Sequence, residues 1–145
     1  MTEAEYRPPD TALLMDEHVR RYRETDGEVG YIWNGVPILL LTTVGRRSGQ
    51  QRTSALIFAR RADDYLVVAS QGGAPTHPKW YLNLQATPEA EIQVRADHIP
   101  VTTRTATAEE KPRLWKVVTE VWPNYDTYQT RTDRDIPVVV LTPRA

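Results

Sequence analysis

The sequence predicts a mainly β protein with flanking helices, its strands closing wholly or partly into a barrel of about six antiparallel strands. Three observations predict it. Six strand-like stretches follow one another through short, turn-rich connections. A clear helix signal falls between the third and fourth of them, and another precedes the last. The strand–helix–strand alternation of a parallel sheet is missing. Closure also removes exposed sheet edges. A length of 145 residues suits one modest core, and no linker divides it. The expected organisation is a loose arm at 1–9 and one domain over 10–145.

Asp10 is expected to cap a helix reaching about Thr25, with a weak apolar stripe of Leu13, Leu14, Val19 and Tyr22. Asp26-Gly27 and Asn34-Gly35 read as turns, with Tyr31-Ile32-Trp33 as an edge piece between them. The first three strands are expected at Val36–Val44, Arg52–Arg61 and Tyr65–Ser70, as a meander. Residues 71–77 read as a loop, and Pro78 suits the first turn of a helix carrying Lys79 to Leu84. Glu91–Arg95 and Ile99–Ala106 are the next strands, joined by a turn at 96–98. Thr107 to Glu110 has capping-box spacing, in which the Thr and Glu side chains satisfy each other's free N–H groups. The helix it opens presents Leu114, Trp115, Val118, Val121 and Trp122 on one side, with Pro112 disturbing its first turn and Pro123 closing it. Residues 124–128 read as a short aromatic segment, and Ile136–Leu141 as the last strand.

Gly45 to Arg52, between the first two strands, holds three arginines and two glycines. From Val36 to Ala62 there are five arginines and no acidic residue, although the whole chain carries a net charge of −1. Such a loop can hold a phosphate or carboxylate through guanidinium forks and bared N–H groups. The plainer reading is a solvated hairpin tip. The loop from Ser70 to His77 precedes a helix N-terminus, which also favours anions. Trp80 and Tyr81 suit either a flat ring or the core, and Tyr125 and Tyr128 either a pocket edge or a surface turn.

Other chemistry is excluded or weak. There are no cysteines, so thiol catalysis and cysteine-ligated metals are out. His18, His77 and His98 lack metal-ligand spacing, so no metal is expected. There is no G-x-G-x-x-G, P-loop or nucleophile elbow, and Ser70 near His77 reads as a loop serine rather than a hydrolase pair. The near-neutral charge argues against nucleic acid. Met1 to Asp10 is polar, without a signal-peptide core, and no stretch is long enough to span a bilayer, so a cytoplasmic protein without stable membrane insertion is expected.

Four motifs together carry a resemblance. They are Leu41 to Arg52 (Leu-Thr-Thr-x-Gly-Arg-Arg-Ser-Gly-x-x-Arg), Ala69 to Ala74, Pro78 to Leu84, and Trp122 to Gln129 followed by Ile136-Pro137. Over about Gly30 to Pro143 the chain resembles the actinobacterial deazaflavin-dependent nitroreductase and F420H2-dependent quinone reductase family. The resemblance implies the split β-barrel shared with flavin-mononucleotide (FMN) oxidoreductases, and the 8-hydroxy-5-deazaflavin coenzyme F420. It implies that Arg46, Arg47, Ser48 and Arg52 grip the phosphate and acidic tail of the cofactor. Thr53, Ser54, Ala55, Leu56 and Ile57, with Val68, Ala69, Ser70 and Gln71, would border the ring. Lys79, Trp80, Tyr81, Leu82 and Asn83 would back it. Tyr125 would stand at ring and acceptor, with Tyr128 and Ser70 as further contacts to the reacting acceptor. The acceptor would be a quinone, an unsaturated lactone or enone, or a nitroaromatic, and the chain a monomer or homodimer. Gln71 stands where the best-known quinone-reducing member has lysine, and Trp122 where it has a third tyrosine. That member's membrane-associated N-terminal segment has no apolar counterpart here. An FMN enzyme of the same barrel and a non-catalytic deazaflavin carrier are the alternatives.

Overall fold

Residues 15–144 are described by a computed structural model; the arm expected at 1–9 and the cap expected of Asp10 lie outside them. Eight strands form: β1 (Ile32–Trp33), β2 (Val36–Val44), β3 (Gln51–Ile57), β4 (Ala59–Arg61), β5 (Asp64–Val68), β6 (Glu89–Val94), β7 (Asp97–Thr105) and β8 (Val138–Pro143). The helices are α1 (Met15–Thr25), α2 (Lys79–Ala86), α3 (Lys111–Val121) and α4 (Asn124–Thr130). All strand pairs are antiparallel, in the order β1-β2-β6-β7-β8-β5-β4, and β3 pairs with β2. Only Phe58 separates β3 from β4, so the path of strands returns to its start and the sheet curls into a barrel. This is the expected class, a split barrel with flanking helices.

Alternation along the strands explains why they read as almost unbroken apolar runs. On β5, Tyr65 and Val67 point inside with Phe58, Ile92 and Val101, while Leu66 and Val68 point out to α3 and α4. On β8, Val139 and Leu141 go in, and Val138 and Val140 go out. On β2, Leu39 and Leu41 go in, while Ile38 and Leu40 meet Tyr22 of α1. A strand covered on both faces needs apolar side chains on both. Trp80, Tyr81 and Leu84 of α2 plug the inner core.

Three expectations need correction. The strand expected at 52–61 breaks at Phe58, because one stretch of chain leaves β2 there and joins β5. The Phe58 N–H bonds Pro37 O at 3.2 Å, and the ring enters the core. The aromatic segment at 124–128 is helix α4: Pro123 ends α3 and, with φ −58° and ψ −21°, is already shaped to begin the next helix. The turn expected at 96–98 begins one residue earlier, with Arg95 at φ 56°. The capping box forms as expected. The Thr107 N–H donates to Glu110 Oε1 at 2.8 Å, and the Glu110 N–H to Thr107 Oγ1 at 3.3 Å.

Tyr22 fastens α1 to the barrel. It is fully buried; its hydroxyl donates to Ile38 O at 3.0 Å and accepts from the Arg95 N–H at 2.8 Å. Tyr22→Phe strands both backbone groups, so it is expected to cost about 1–3 kcal/mol. Urea unfolding checks this as a lower midpoint at unchanged slope. An unchanged midpoint would show that α1 is held by packing alone.

Candidate functional site

β3 pairs with β2 along its whole length, and its second edge pairs with no strand among the described residues. The ladder with β2 leaves alternate N–H and C=O groups on that edge unused, and the strand lines a cavity of about 470 Å³. The size suits a bound organic cofactor. Thr53, Ser54, Ala55, Leu56 and Ile57 all line it. Opposite stand Val68, Ser70, Gln71 and Gly72 from the end of β5 and the turn after it, with Pro78 and Trp80 from the start of α2. Asp16, His18 and Val19 of α1 form one side. Trp33, Trp122, Tyr125 and Tyr128 form an aromatic wall. Within it the Trp33 and Trp122 rings lie 5.9 Å apart, and Tyr125 and Tyr128 lie 6.2 Å apart, edge to face.

Following β3 backwards leads out of the cavity to the arginine loop. At about 3.3 Å per residue, Arg52 lies roughly 17 Å along the strand from Ile57. Arg46, Arg47, Ser48 and Arg52 are all exposed. Among the described residues no ion pair uses the three guanidiniums, whereas Arg20, Arg21, Arg104 and Arg144 all face carboxylates. The loop's backbone is nonetheless fixed. The Gly45 N–H bonds Gln50 O at 2.7 Å, and the Gly49 N–H bonds Gly45 O at 2.8 Å. Asn83, buried on α2, accepts from the Arg46 N–H at 3.1 Å and donates to Thr43 Oγ1 at 3.1 Å. A preformed loop with unpaired cations is suited to an anion.

The turn after β5 is held under strain. Gln71, Gly72 and Gly73 take φ of 47°, 64° and 85°. A non-glycine residue in that region costs on the order of 1 kcal/mol and persists only when its surroundings dictate it. A Cβ on Gly73 would stand 2.6 Å from Tyr128 O, so glycine lets the turn lie directly against α4. Arg134 supplies the rest. Its guanidinium donates to Ala69 O at 3.2 Å, Ser70 O at 2.7 Å and Ala74 O at 2.8 Å, and meets His77 Nδ1 at 3.0 Å. Since Arg134 can only donate, His77 accepts at Nδ1. Burial first, and the Arg134 charge second, hold His77 below the usual histidine range.

Arg134→Ala is therefore expected to destabilise the fold by about 2 kcal/mol, as three carbonyls lose a charged donor. It should also loosen the cavity floor at Ser70 and Gln71. The sign of the His77 contribution follows from its lowered value. It stabilises fully above the unfolded value of about 6.5, and is lost as pH falls below that. Wild-type stability should accordingly decline on acidification from pH 6.5, and His77→Gln should decline less. Urea midpoints across pH 5–8 measure it, and parallel curves would remove His77 from the account.

The structure brings Thr53–Ile57, Val68, Ser70, Gln71, Trp80, Tyr125 and Tyr128 to one cavity, and places Arg46, Arg47, Ser48 and Arg52 at the end of the strand that lines it. It places others elsewhere. Ala69 is fully buried in the inner core. Tyr81 is also core, its hydroxyl bonded to Thr105 Oγ1 at 2.8 Å. Lys79, Leu82 and Asn83 do not line the cavity, although Asn83 braces the arginine loop. Asp16, His18, Trp33 and Arg134 were not legible as site residues. No motif marks them, because α1 and the 131–136 segment reach the site only through the tertiary fold.

The sequence profile of the F420H(2)-dependent quinone reductase family matches residues 14–143. An F420H(2)-dependent quinone reductase of Mycobacterium tuberculosis is 45% identical over 135 residues, which cover 90% of this chain and 91% of that protein. The chain belongs to this family. A solved F420-H2 dependent reductase, 42% identical, superposes with a TM-score of 0.67 over 72% of this chain and 93% of that one. A domain-swapped dimer, 38% identical, superposes with a TM-score of 0.70 over 85% of this chain and 96% of that one. The chain's residues fit the family's cofactor. A flat heterocycle with polar rim atoms matches the open β3 edge, and a tail carrying phosphate and carboxylates matches three exposed arginines at that edge's end that form no ion pair among the described residues.

Proposed function

We propose that this F420H(2)-dependent quinone reductase family member passes a hydride from the reduced deazaflavin to a quinone. Unsaturated lactones, enones and nitroaromatics are further acceptors of the same electron-poor kind. The single observation that carries the reading is the continuity of the β3 edge from the cavity to the arginine loop. An FMN phosphate would occupy one arginine or two, and three unpaired ones within seven residues suit the longer anionic tail of F420 better.

The deazaflavin, when bound, supplies the hydride. Arg46, Arg47 and Arg52, with Ser48, would hold its tail. The alternate N–H and C=O groups on the free edge of Thr53–Ile57 would meet the ring's polar rim, and Trp80 and Val68 would give it an apolar wall. Positioning is the main contribution, since hydride transfer needs the donor carbon and the accepting atom close and aligned. Tyr125 and Ser70 face the acceptor oxygen, where negative charge grows. Trp33 and Trp122 keep water from the acceptor side.

The test mixes the protein with reduced F420 and a panel of quinones, and follows the return of oxidised-cofactor absorbance. Turnover with reduced F420 and none with nicotinamide donors is expected. Tight binding of F420 without turnover of any acceptor would instead make the chain a carrier, and a protein that purifies with bound yellow flavin would favour FMN. We also propose a homodimer in the cytoplasm, on the likeness to the domain-swapped dimer. Sedimentation tests the dimer. No helix among the described residues is long and apolar enough to cross a membrane.

A further inference from the structure

Resting on the quinone reading, we propose that His18 is the proton donor to the acceptor oxygen. A quinone becomes a hydroquinone by gaining a hydride and a proton. When bound, the reduced deazaflavin would give up one C–H hydrogen with both electrons, which forms the O–H bond at one quinone oxygen, and its N–H proton would pass to solvent. The proton on the other quinone oxygen comes from Nδ1 of His18, whose N–H bond breaks as that O–H bond forms, and solvent then reprotonates the imidazole.

The geometry assigns the two ring nitrogens different tasks. His18 is only 4% exposed and lines the cavity. Its Nε2 lies 2.8 Å from Gly30 O. A carbonyl only accepts, so Nε2 carries a hydrogen and donates it in both charge states. Gly30 makes this contact possible: with φ 99°, a Cβ there would stand 2.9 Å from the imidazole Cδ2. The Cδ2–Nε2 edge is thereby laid against backbone. Nδ1 has no partner among the described residues, yet no buried side-chain N or O among them is left unbonded. Nδ1 is therefore accessible, and in a residue so little exposed that access is from the cavity. Charged, Nδ1 donates to a quinone oxygen; neutral, it accepts from the hydroquinone hydroxyl.

The surroundings support the assignment. The imidazole lies 6.5 Å from Trp33, which continues through Trp122 to Tyr128 and Tyr125 as one wall. Asp16 is the one carboxylate among the described lining residues. From α4 the facing titratable groups are Tyr125 and Tyr128, and β3 offers only the hydroxyls of Thr53 and Ser54. Burial makes Tyr125 a weaker acid than an ordinary phenol, so it suits hydrogen bonding better than proton delivery.

The test uses His18→Gln, which keeps a side-chain N–H for Gly30 O but cannot act as an acid near neutrality. With reduced F420 and a short-chain quinone, kcat is expected to fall at least about tenfold while F420 affinity holds. The kcat–pH profiles of wild type and variant should differ in shape. Independently of turnover, nitrogen NMR of the cofactor-free wild type should show the His18 Nδ1 signal move when the matching hydroquinone is added. Unchanged kcat and pH profile in His18→Gln would overturn the step while leaving the quinone reading intact. So would an unmoved Nδ1 signal at saturating hydroquinone, which also decides the matter if the variant does not fold. A wild type that turns over no quinone overturns the function and this step together.

Discussion

Replacing Arg46, Arg47 and Arg52 together with alanine is expected to weaken F420 binding by about a thousandfold. Each charge-assisted bond to phosphate or carboxylate is worth roughly 1.5–3 kcal/mol when formed. Exposure of the loop argues for the lower end, about a factor of ten for each guanidinium. Arg52→Ala alone should then cost about ten- to a hundredfold, since it stands next to the cavity-lining strand. Thermal stability should hardly change, because none of the three packs in the core or pairs with a carboxylate among the described residues. Binding to the wild type should weaken with added salt, and binding to the triple variant should respond less. Lysine at the three positions should restore part of the affinity, as charge without the planar fork. Titration of F420 against all these proteins is the measurement. Equal affinity in every variant would make the loop a solvated hairpin tip, and the cofactor's tail would have to lie elsewhere.

What the sequence shows, and what it hides, divides by the range of the interactions. Strands β2, β5 and β8 were legible because buried apolar runs are local. The capping box at Thr107 and Glu110 was legible because both partners lie within one turn. Phe58 was not, since the break there follows from barrel closure and nothing in Ile57-Phe58-Ala59 is a breaker. Pro123 was read as a stop when it is also a start. The arginine loop announced itself by composition, whereas the lining by β3 came only from the family resemblance. Arg134 bonds mainly to carbonyl oxygens, which leave no mark in the partner's side chains, so its hold on Ala69, Ser70 and Ala74 was invisible. His18 reached the site by the placement of α1, which depends on Tyr22 and on Arg23 bonding Thr53 Oγ1 at 2.6 Å. Ala69 and Tyr81 show the converse. Both belong to motif stretches, but strand and helix geometry turns their side chains into the core beside neighbours that face the cavity.

Tyr125→Phe is expected to lower kcat by up to about a hundredfold while F420 affinity stays the same. Tyr125 lines the cavity and is 5% exposed. Its ring is fixed edge-on against Tyr128 and packs 6.3 Å from Trp115, so phenylalanine should keep its place. Its hydroxyl has no partner among the described residues, and no buried side-chain N or O among them is unbonded, so it opens onto the cavity. Burial holds the hydroxyl well above the usual phenol range. It therefore stays protonated throughout the working pH, a fixed donor for the oxygen on which charge develops. Donors of that kind contribute about 10²–10³ to rate when their bond strengthens in the transition state. The shape of the kcat–pH profile should be unchanged in Tyr125→Phe, because a group that does not titrate cannot bend the curve. That separates it from His18→Gln, whose profile should change shape. Tyr128→Phe should act more weakly and on acceptor KM, since the Tyr128 hydroxyl already accepts from Trp122 Nε1 at 3.4 Å. Steady-state rates on both variants with one quinone and one lactone check the expectation. Full rate in Tyr125→Phe on both acceptors would reduce the tyrosine to wall, and Ser70, buried at the cavity floor, would be the next donor to replace.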